Sequence, residues 1–110
     1  MPVIKGILGQ IAPGAASLDD LYTVPSGVAA QGQVIITNRG AQTSFRVSAA
    51  QDGAVDDNKQ YVAYDKIVAA NDTGVTVTFR LGSGDKIRVY AGSVNLTFIC
   101  TGIEEYDQYG

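Results

Sequence analysis

The densest group of side chains that could do chemistry is a set of carboxylates in one polar stretch, "QDGAVDDN" (51–58). Asp52, Asp56 and Asp57 could offer oxygen ligands to a calcium ion, which proteins hold with carboxylate and carbonyl oxygens. Their spacing does not match the ligand pattern of an EF-hand, and polar loops of this kind are usually only hydrated. These three aspartates are therefore weak metal candidates, and the sequence predicts no bound metal and no cofactor.

Catalytic residue types are scarce elsewhere in the chain. The sequence has no histidine, which removes Ser-His-Asp and Cys-His catalysis and the commonest general base at neutral pH. One cysteine cannot build a zinc site. The "GSGDK" stretch (82–86) joins two predicted strands and lacks the helix N-terminus that a phosphate-binding loop needs. A glycosidase would need two carboxylates facing each other across a cleft, and no such cleft is predicted. We therefore expect a protein that is not an enzyme.

The single cysteine has the pattern of a core residue. Cys100 lies in "VNLTFICTG", in phase with Val94, Leu96 and Phe98, so a buried and unreactive thiol is expected. It cannot form an internal disulfide, which suits a protein made in a reducing compartment.

Charge and hydropathy exclude two classes of partner. The net charge is −3, and the eight lysines and arginines are scattered along the chain. A general nucleic-acid binder needs a concentrated basic face, so no nucleic-acid partner is expected. The N-terminal segment "MPVIKGILGQIAPGAAS" has no sustained apolar run, so neither a signal peptide nor a membrane span is predicted.

The elements that must carry any functional residue are β-strands. Thirteen glycines, many β-branched residues and a turn signal about every ten residues are typical of an all-β domain. The chain is long enough for one domain, and about eight short strands bury their faces best as two sheets. We predict a single-domain antiparallel β-sandwich, jelly-roll-like by preference and immunoglobulin-like as the alternative. Without a tryptophan or a cysteine pair, an antibody-type domain is excluded. The predicted strands cover residues 7–12, 20–24, 28–37, 43–49, 59–69, 73–81, 85–91 and 94–103.

Residues 75–90, "VTVTFRLGSGDKIRVY", show the clearest alternation and predict two paired strands around a Gly-Ser-Gly turn. One face would join the core. Arg80, Arg88 and Tyr90 would share the opposite face and are candidate interface residues, since arginine and tyrosine are enriched at protein interfaces.

The remaining aromatic residues are divided between core and surface. Phe45, Phe79 and Phe98 are in phase with aliphatic neighbours and are predicted to be core. Tyr61 and Tyr64 differ in parity, so they are predicted to lie on opposite faces of one strand.

The two ends of the chain are set apart from the predicted sandwich domain (17–104). Residues 1–16 form a predicted N-terminal arm that would add an edge strand or reach a neighbouring molecule, and residues 105–110 a C-terminal tail; a frayed terminus is the alternative for both. The candidate contact residues in these segments are Ile4, Ile7, Leu8, Ile11, Tyr106 and Tyr109.

An ordered series of short segments then resembles a known group of proteins. It begins with "LGQIAPGAASLDDLYTVPSGVAAQGQVIITNRG" and continues through "FRVSAA", "KQYVAYD", "ANDT", "LGSGD" and "IRVYAGSVNLTFICTGIE". Over residues 8–104 this series resembles small all-β virion proteins of tailed bacteriophages, which are described as capsid decoration (cement) proteins or as tail and baseplate components.

The resemblance implies a structural role and carries no catalytic motif. It implies a capsid decoration protein that is present in many copies, contacts the major capsid protein or other virion proteins, and forms a homo-oligomer, with a trimer favoured. Its location would be the virion, assembled in the host cytoplasm. Two alternatives stay open: a tail, neck or baseplate component, and a jelly-roll adhesin module that binds carbohydrate through outward tyrosines and the aspartate loop.

Overall fold

The computed structural model describes residues 3–72 and 75–106, and in that part of the chain all extended regular structure is β-strand. Two short 3-10 turns, Gln51–Gly53 and Asn58–Gln60, interrupt it. The predicted all-β class and the number of strands are confirmed. The strands are β1 (Val3–Ile11), β2 (Leu18–Thr23), β3 (Val28–Asn38), β4 (Thr43–Ala50), β5 (Tyr61–Val68), β6 (Val75–Leu81), β7 (Lys86–Ala91) and β8 (Leu96–Tyr106).

The strands form two four-stranded antiparallel sheets, which we call the β1 sheet (order β1-β8-β3-β6) and the β2 sheet (order β2-β7-β4-β5). The chain runs as one long antiparallel hairpin, with β1 to β4 as one arm and β5 to β8 as the other. Four strand pairs come from this hairpin: β1–β8, β2–β7, β3–β6 and β4–β5. Rolling up this hairpin brings β3 beside β8 and β4 beside β7, which gives two further strand pairs. This is the strand order of a jelly roll, so the predicted jelly-roll sandwich is confirmed.

The core lies between the sheets and is built by the inward-facing side chains of the alternating strands. Phe98 on β8 and Phe45 on β4 are fully buried and meet edge-to-face, with ring centroids 6.2 Å apart, so one ring from each sheet fills the centre. Phe79 is half-buried and packs against this cluster. Cys100 is also fully buried, as its phase predicted.

The predicted pairing of the two strands in 75–90 is wrong. β6 pairs with β3 in the β1 sheet, whereas β7 pairs with β2 and β4 in the β2 sheet. The turn between them crosses from one sheet to the other and is held against Val24, whose N–H donates to the Asp85 carbonyl. Arg80 therefore lies on the opposite side of the sandwich from Arg88 and Tyr90, and the three do not share a face.

The N-terminal segment forms the edge strand of the β1 sheet. β1 pairs with β8 from Val3 to Ile11, with a bulge between Ile7 and Gly9. Leu8 and Ile11 pack against the core of their own chain, so they are not part of a free apolar arm. At the other end, β8 continues through Glu105 to Tyr106.

Strand β5 departs from regular pairing with β4. The register shifts twice, between Phe45 and Val47 and between Val47 and Ser48, and Asp65 has a positive φ of 51°. Such bulges add residues to one strand and turn its side chains. Tyr61 and Tyr64 consequently lie on the same side, with ring centroids 5.1 Å apart, and the prediction that they occupy opposite faces is wrong.

Candidate contact surfaces and a buried polar site

The outer face of the β1 sheet is rich in threonine, glutamine and isoleucine, and we call it the threonine face. Its two central rows run in register across all four strands: Ile7–Thr101–Gln33–Thr78 and Gln10–Ile99–Ile35–Thr76.

Neither central row of the threonine face contains a charged residue. Ile7, one of the predicted contact residues, is 62% exposed. The charged side chains described on this face lie towards its ends: Arg39 donates to Thr97 Oγ1 (3.2 Å) at one end, and Arg80 and Glu105 lie at the other. Because the cores of protein interfaces are depleted of charge, this face has the composition of a contact surface.

The outer face of the β2 sheet is charged, and its charges are paired. Asp20 accepts from Lys86 (3.0 Å) and from Arg88 (3.3 Å). The hydrogen bond from Lys86 lowers the pKa of Asp20. Arg88 also donates to the carbonyls of Ala54 (2.7 Å) and Gly53 (3.1 Å), which ties the 51–60 loop to the sheet. The predicted contact residue Arg88 is thus already committed to its own chain.

An arginine stacked on two tyrosines occupies the middle of the same face. The Arg46 guanidinium carbon lies 4.2 Å from the ring centroid of Tyr64 and 4.5 Å from that of Tyr90, and Asp65 accepts from Arg46 Nε at 2.7 Å. We call Tyr64, Arg46 and Tyr90 the Arg46 stack. Tyr61 meets Tyr64 edge-to-face beside it. The hydrogen bond to Asp65 raises the pKa of Arg46, so the stack stays cationic throughout the working pH range.

The aspartates of the 51–58 loop do not converge on one point. The Asp52 N–H donates to Asp85 Oδ1, Asp56 accepts from the Tyr61 hydroxyl (3.1 Å), and Asp57 accepts from the Lys59 N–H (3.1 Å). Within residues 3–72 and 75–106, no group of three or more histidine, cysteine, aspartate or glutamate residues could hold a metal ion.

A buried polar site joins the two sheets at one end of the sandwich. Glu104 on β8 is only 7% exposed, and its carboxyl accepts from the hydroxyls of Tyr22 on β2 and Tyr106 on β8 (3.3 Å for Tyr106). Sequence reasoning missed this site. The signal was present, since Glu104 continues the inward phase of Phe98 and Cys100.

Removing the Tyr22 hydroxyl tests this connection between the sheets. Tyr22→Phe should lower the free energy of unfolding by about 1–3 kcal/mol, because it leaves a buried carboxyl oxygen without its donor. Urea denaturation followed by circular dichroism measures the change. Tyr61→Phe is the matched control, since the Tyr61 hydroxyl bonds Asp56 at the surface; it should change stability by less than about 0.5 kcal/mol. Equal effects of the two variants would contradict the buried site.

The same site predicts a loss of stability in alkali. Burial, and then the hydrogen bond to Glu104, raise the pKa of Tyr22 well above its ordinary value of 10.0. Above about pH 10 the unfolded chain releases this proton and the folded chain keeps it, so the free energy of unfolding falls by up to about 1.4 kcal/mol per pH unit. Denaturation curves between pH 9 and 11 should show a steeper fall for the wild type than for Tyr22→Phe. Parallel curves would mean that Tyr22 ionises alike in both states.

The remaining predicted contact residues are Tyr106, Ile4 and Tyr109. Tyr106 is half-buried and packs against the core. Ile4 lies in β1 in register with Glu104, and Tyr109 lies outside the described residues.

Burial, and next the charge of Glu104, raise the pKa of the Cys100 thiol to about 12, so the thiolate needed for reaction is scarce at neutral pH.

The described residues define an antiparallel jelly-roll sandwich in which one outer face has two uncharged central rows and the other is ion-paired. Comparisons with models of known protein families, with curated proteins and with solved structures give no match to this chain. The described part of the chain contains no helix that is long and apolar enough to cross a membrane.

Proposed function

We propose that this chain is a structural protein of a tailed-bacteriophage virion, bound to the head in many copies as a capsid decoration protein. Its partners are the major capsid protein or other virion proteins and, in a homo-oligomer with a trimer favoured, further copies of itself. The protein acts by presenting surfaces and carries out no reaction.

The observation that carries the proposal is the uncharged centre of the threonine face. The face spans four strands, its central rows are free of charge, and it exposes Ile7. Threonine and glutamine keep such a face soluble before assembly, and desolvating them costs less than desolvating a charge. On the opposite face, charged side chains form ion pairs within the chain. A partner that bound there would compete with these ion pairs, whereas a partner on the central rows of the threonine face would not.

Two weaker lines support the same proposal. The sequence segments resemble small phage virion proteins, and viral capsid domains are among the proteins built as jelly rolls. The second of these is an analogy at the level of the fold, which hosts many functions.

A charge placed in the centre of the threonine face tests its role. Gln33→Lys puts a cation between Thr101 and Thr78, and binding to capsids that lack the protein should fall at least about tenfold, because a buried unpaired charge is costly. Gln42→Lys is the matched control, since Gln42 is exposed in the turn between β3 and β4. Co-sedimentation measures binding. Undiminished binding by folded Gln33→Lys would exclude this face as the contact.

The alternative location, in the tail, neck or baseplate, is separated by copy number and position on the particle. Quantitative mass spectrometry of purified virions, with electron microscopy of labelled protein, measures both. A copy number on the scale of the shell subunits supports decoration, and a few copies at the tail support the alternative. Absence from purified virions would overturn both.

A carbohydrate-binding module is the second candidate function, and one feature favours it. Asn58, Tyr61 and Tyr64 line an open depression, and Tyr64 is 57% exposed. An exposed aromatic ring beside amide and hydroxyl groups can stack on a sugar ring and hydrogen-bond its hydroxyls. Binding on a glycan array that is lost in Tyr64→Ala and kept in Tyr90→Phe would support this function. No binding by the wild type would remove it.

A further inference from the structure

Strands β5 and β6 are edge strands on the same side of the sandwich, one in each sheet, and β5 carries two bulges. A cavity of about 190 Å³ lies between the sheets at this side and opens between the two strands. Its lining comes from both sheets, which distinguishes it from the depressions on the outer faces.

Most residues that line this cavity are apolar, and Ser48 and Thr78 also contribute to the lining. Val34, Val47 and Ile87 are at most 2% exposed, and Val77 and Phe79 complete the wall from β6. An apolar cavity of about 150 Å³ stays dry and can bind a benzene-sized molecule, so this one accommodates about six to eight non-hydrogen atoms.

The mouth of the cavity has a different character from its walls. Val62 is 56% exposed at the rim. Arg80 is the one charged residue among the lining residues described, and its side chain leaves the edge strand β6 on the outer face of the β1 sheet, next to the rim. In the described part of the chain, the Arg80 guanidinium has no hydrogen-bond or ion-pair partner. An unpaired cation beside an apolar cavity complements a ligand that has an apolar body and an anionic head.

We propose that this cavity binds a small aliphatic or aromatic carboxylate, with its apolar body between the sheets and its carboxylate beside Arg80. The cavity shares Thr78 and Arg80 with the edge of the threonine face. Its binding is measured on the isolated protein and needs no virion partner, so it stands or fails separately from the proposed function. Arginine is suited to this task because it pairs with a carboxylate in a fixed two-point geometry and never loses its charge.

Three probes with one tail and different heads test the site: hexanoate, 1-hexanol and hexylamine. We expect hexanoate to raise the melting temperature saturably, by roughly 5 °C at about ten times its dissociation constant. Hexanol should bind more weakly and hexylamine most weakly. Methyl NMR spectra of the wild type should show hexanoate shifting the resonances of Val34, Val47 and Val77, and not those of Val55 in the outer loop.

Filling the cavity provides the matched variant. Ala49 lines the cavity beside Ile87, its register partner on the neighbouring strand β7, so Ala49→Leu should abolish the hexanoate effect. Ala41→Leu, at an exposed turn, should leave that effect unchanged. Arg80→Gln should weaken hexanoate about tenfold and hexanol less than twofold, since it removes the charge and leaves the walls intact.

The wild-type titration decides the proposal even if Ala49→Leu fails to fold. Failure of all three probes to shift the core methyl resonances would overturn the cavity as a binding site. Equal affinity for the three heads, or no effect of Arg80→Gln on hexanoate, would overturn the assignment of a carboxylate ligand.

Discussion

Replacing Phe98 by alanine is expected to lower the free energy of unfolding by about 3–5 kcal/mol, which is close to the total stability of many domains of this size. Phe98 is fully buried on β8 and meets the Phe45 ring of the opposite sheet. Truncating it removes the central contact between the sheets and leaves a cavity that flat, hydrogen-bonded strands cannot close.

Chemical denaturation of Phe98→Ala and Phe98→Leu separates lost burial from general damage to the core. Leucine keeps most of the apolar volume, so Phe98→Leu should lose only about 1–1.5 kcal/mol. Phe79→Ala, at a half-buried ring near the side of the sandwich, should lose less than Phe98→Ala because its cavity can fill with solvent. A loss below about 1 kcal/mol for Phe98→Ala would contradict its central position.

The strands and their packing follow largely from local sequence. Alternation placed Phe45 inward on β4, and Phe98 and Cys100 inward on β8, as the structure has them. The predicted bounds differ most at β1, expected to start at residue 7 and found to start at Val3. Glycines at 6 and 9 and a bulge break the alternation there, so the period that identifies a strand is lost.

Pairing between strands could not be read from the same pattern. An apolar face on each of two consecutive strands fits a hairpin and equally fits a crossing between sheets, so the prediction for 75–90 chose the wrong partner. Arg80 was grouped with Arg88 and Tyr90 for that reason. The side to which an outward residue belongs depends on topology, which alternation does not encode.

The surface sites show a second limit of sequence reasoning. Tyr61 and Tyr64 were placed on opposite faces by strict alternation, but the bulge between Tyr61 and Ala63 brings them together. The Arg46 stack needs three strands to be adjacent, and no local pattern predicts that. Glu104, in contrast, could have been found, because a charged residue in the inward phase of a strand needs a buried partner.

The two outer faces together indicate how this fold can serve a binding role. The β2 sheet pairs Asp20 with Lys86 and Arg88 and stacks Arg46 on its tyrosines, which stabilises that side within one chain. The central rows of the threonine face consist of threonine, glutamine and isoleucine and carry no charge. A partner on the threonine face would therefore displace water and break no ion pair, whereas a partner on the β2 sheet would compete with existing contacts. This asymmetry is the physical reason for placing the proposed contact on the β1 sheet.

The close approach of β3 and β8, which carries the threonine face, depends on two glycines that face each other. Gly32 and Gly102 are in register, and a Cβ added at Gly102 would meet the Gln31 carbonyl oxygen and lie 2.9 Å from the Gly32 Cα. Both obstacles are backbone atoms, so neither can move aside without shifting a strand. Gly102→Ala should therefore lower the free energy of unfolding by about 3 kcal/mol or more.

Gly14→Ala is the matched control for this substitution, because a Cβ at Gly14 would have no atom within 4 Å. It should be neutral or stabilise by up to about 1 kcal/mol, since alanine restricts the unfolded chain. Denaturation of the two variants under one set of conditions gives the comparison. If Gly102→Ala lost less than about 1 kcal/mol, β3 and β8 would have room between them, and the spacing of the two strands would not be the one described. A large loss at Gly102 with none at Gly14 would instead locate the cost in the spacing of these two strands, which is where the proposed contact surface is built.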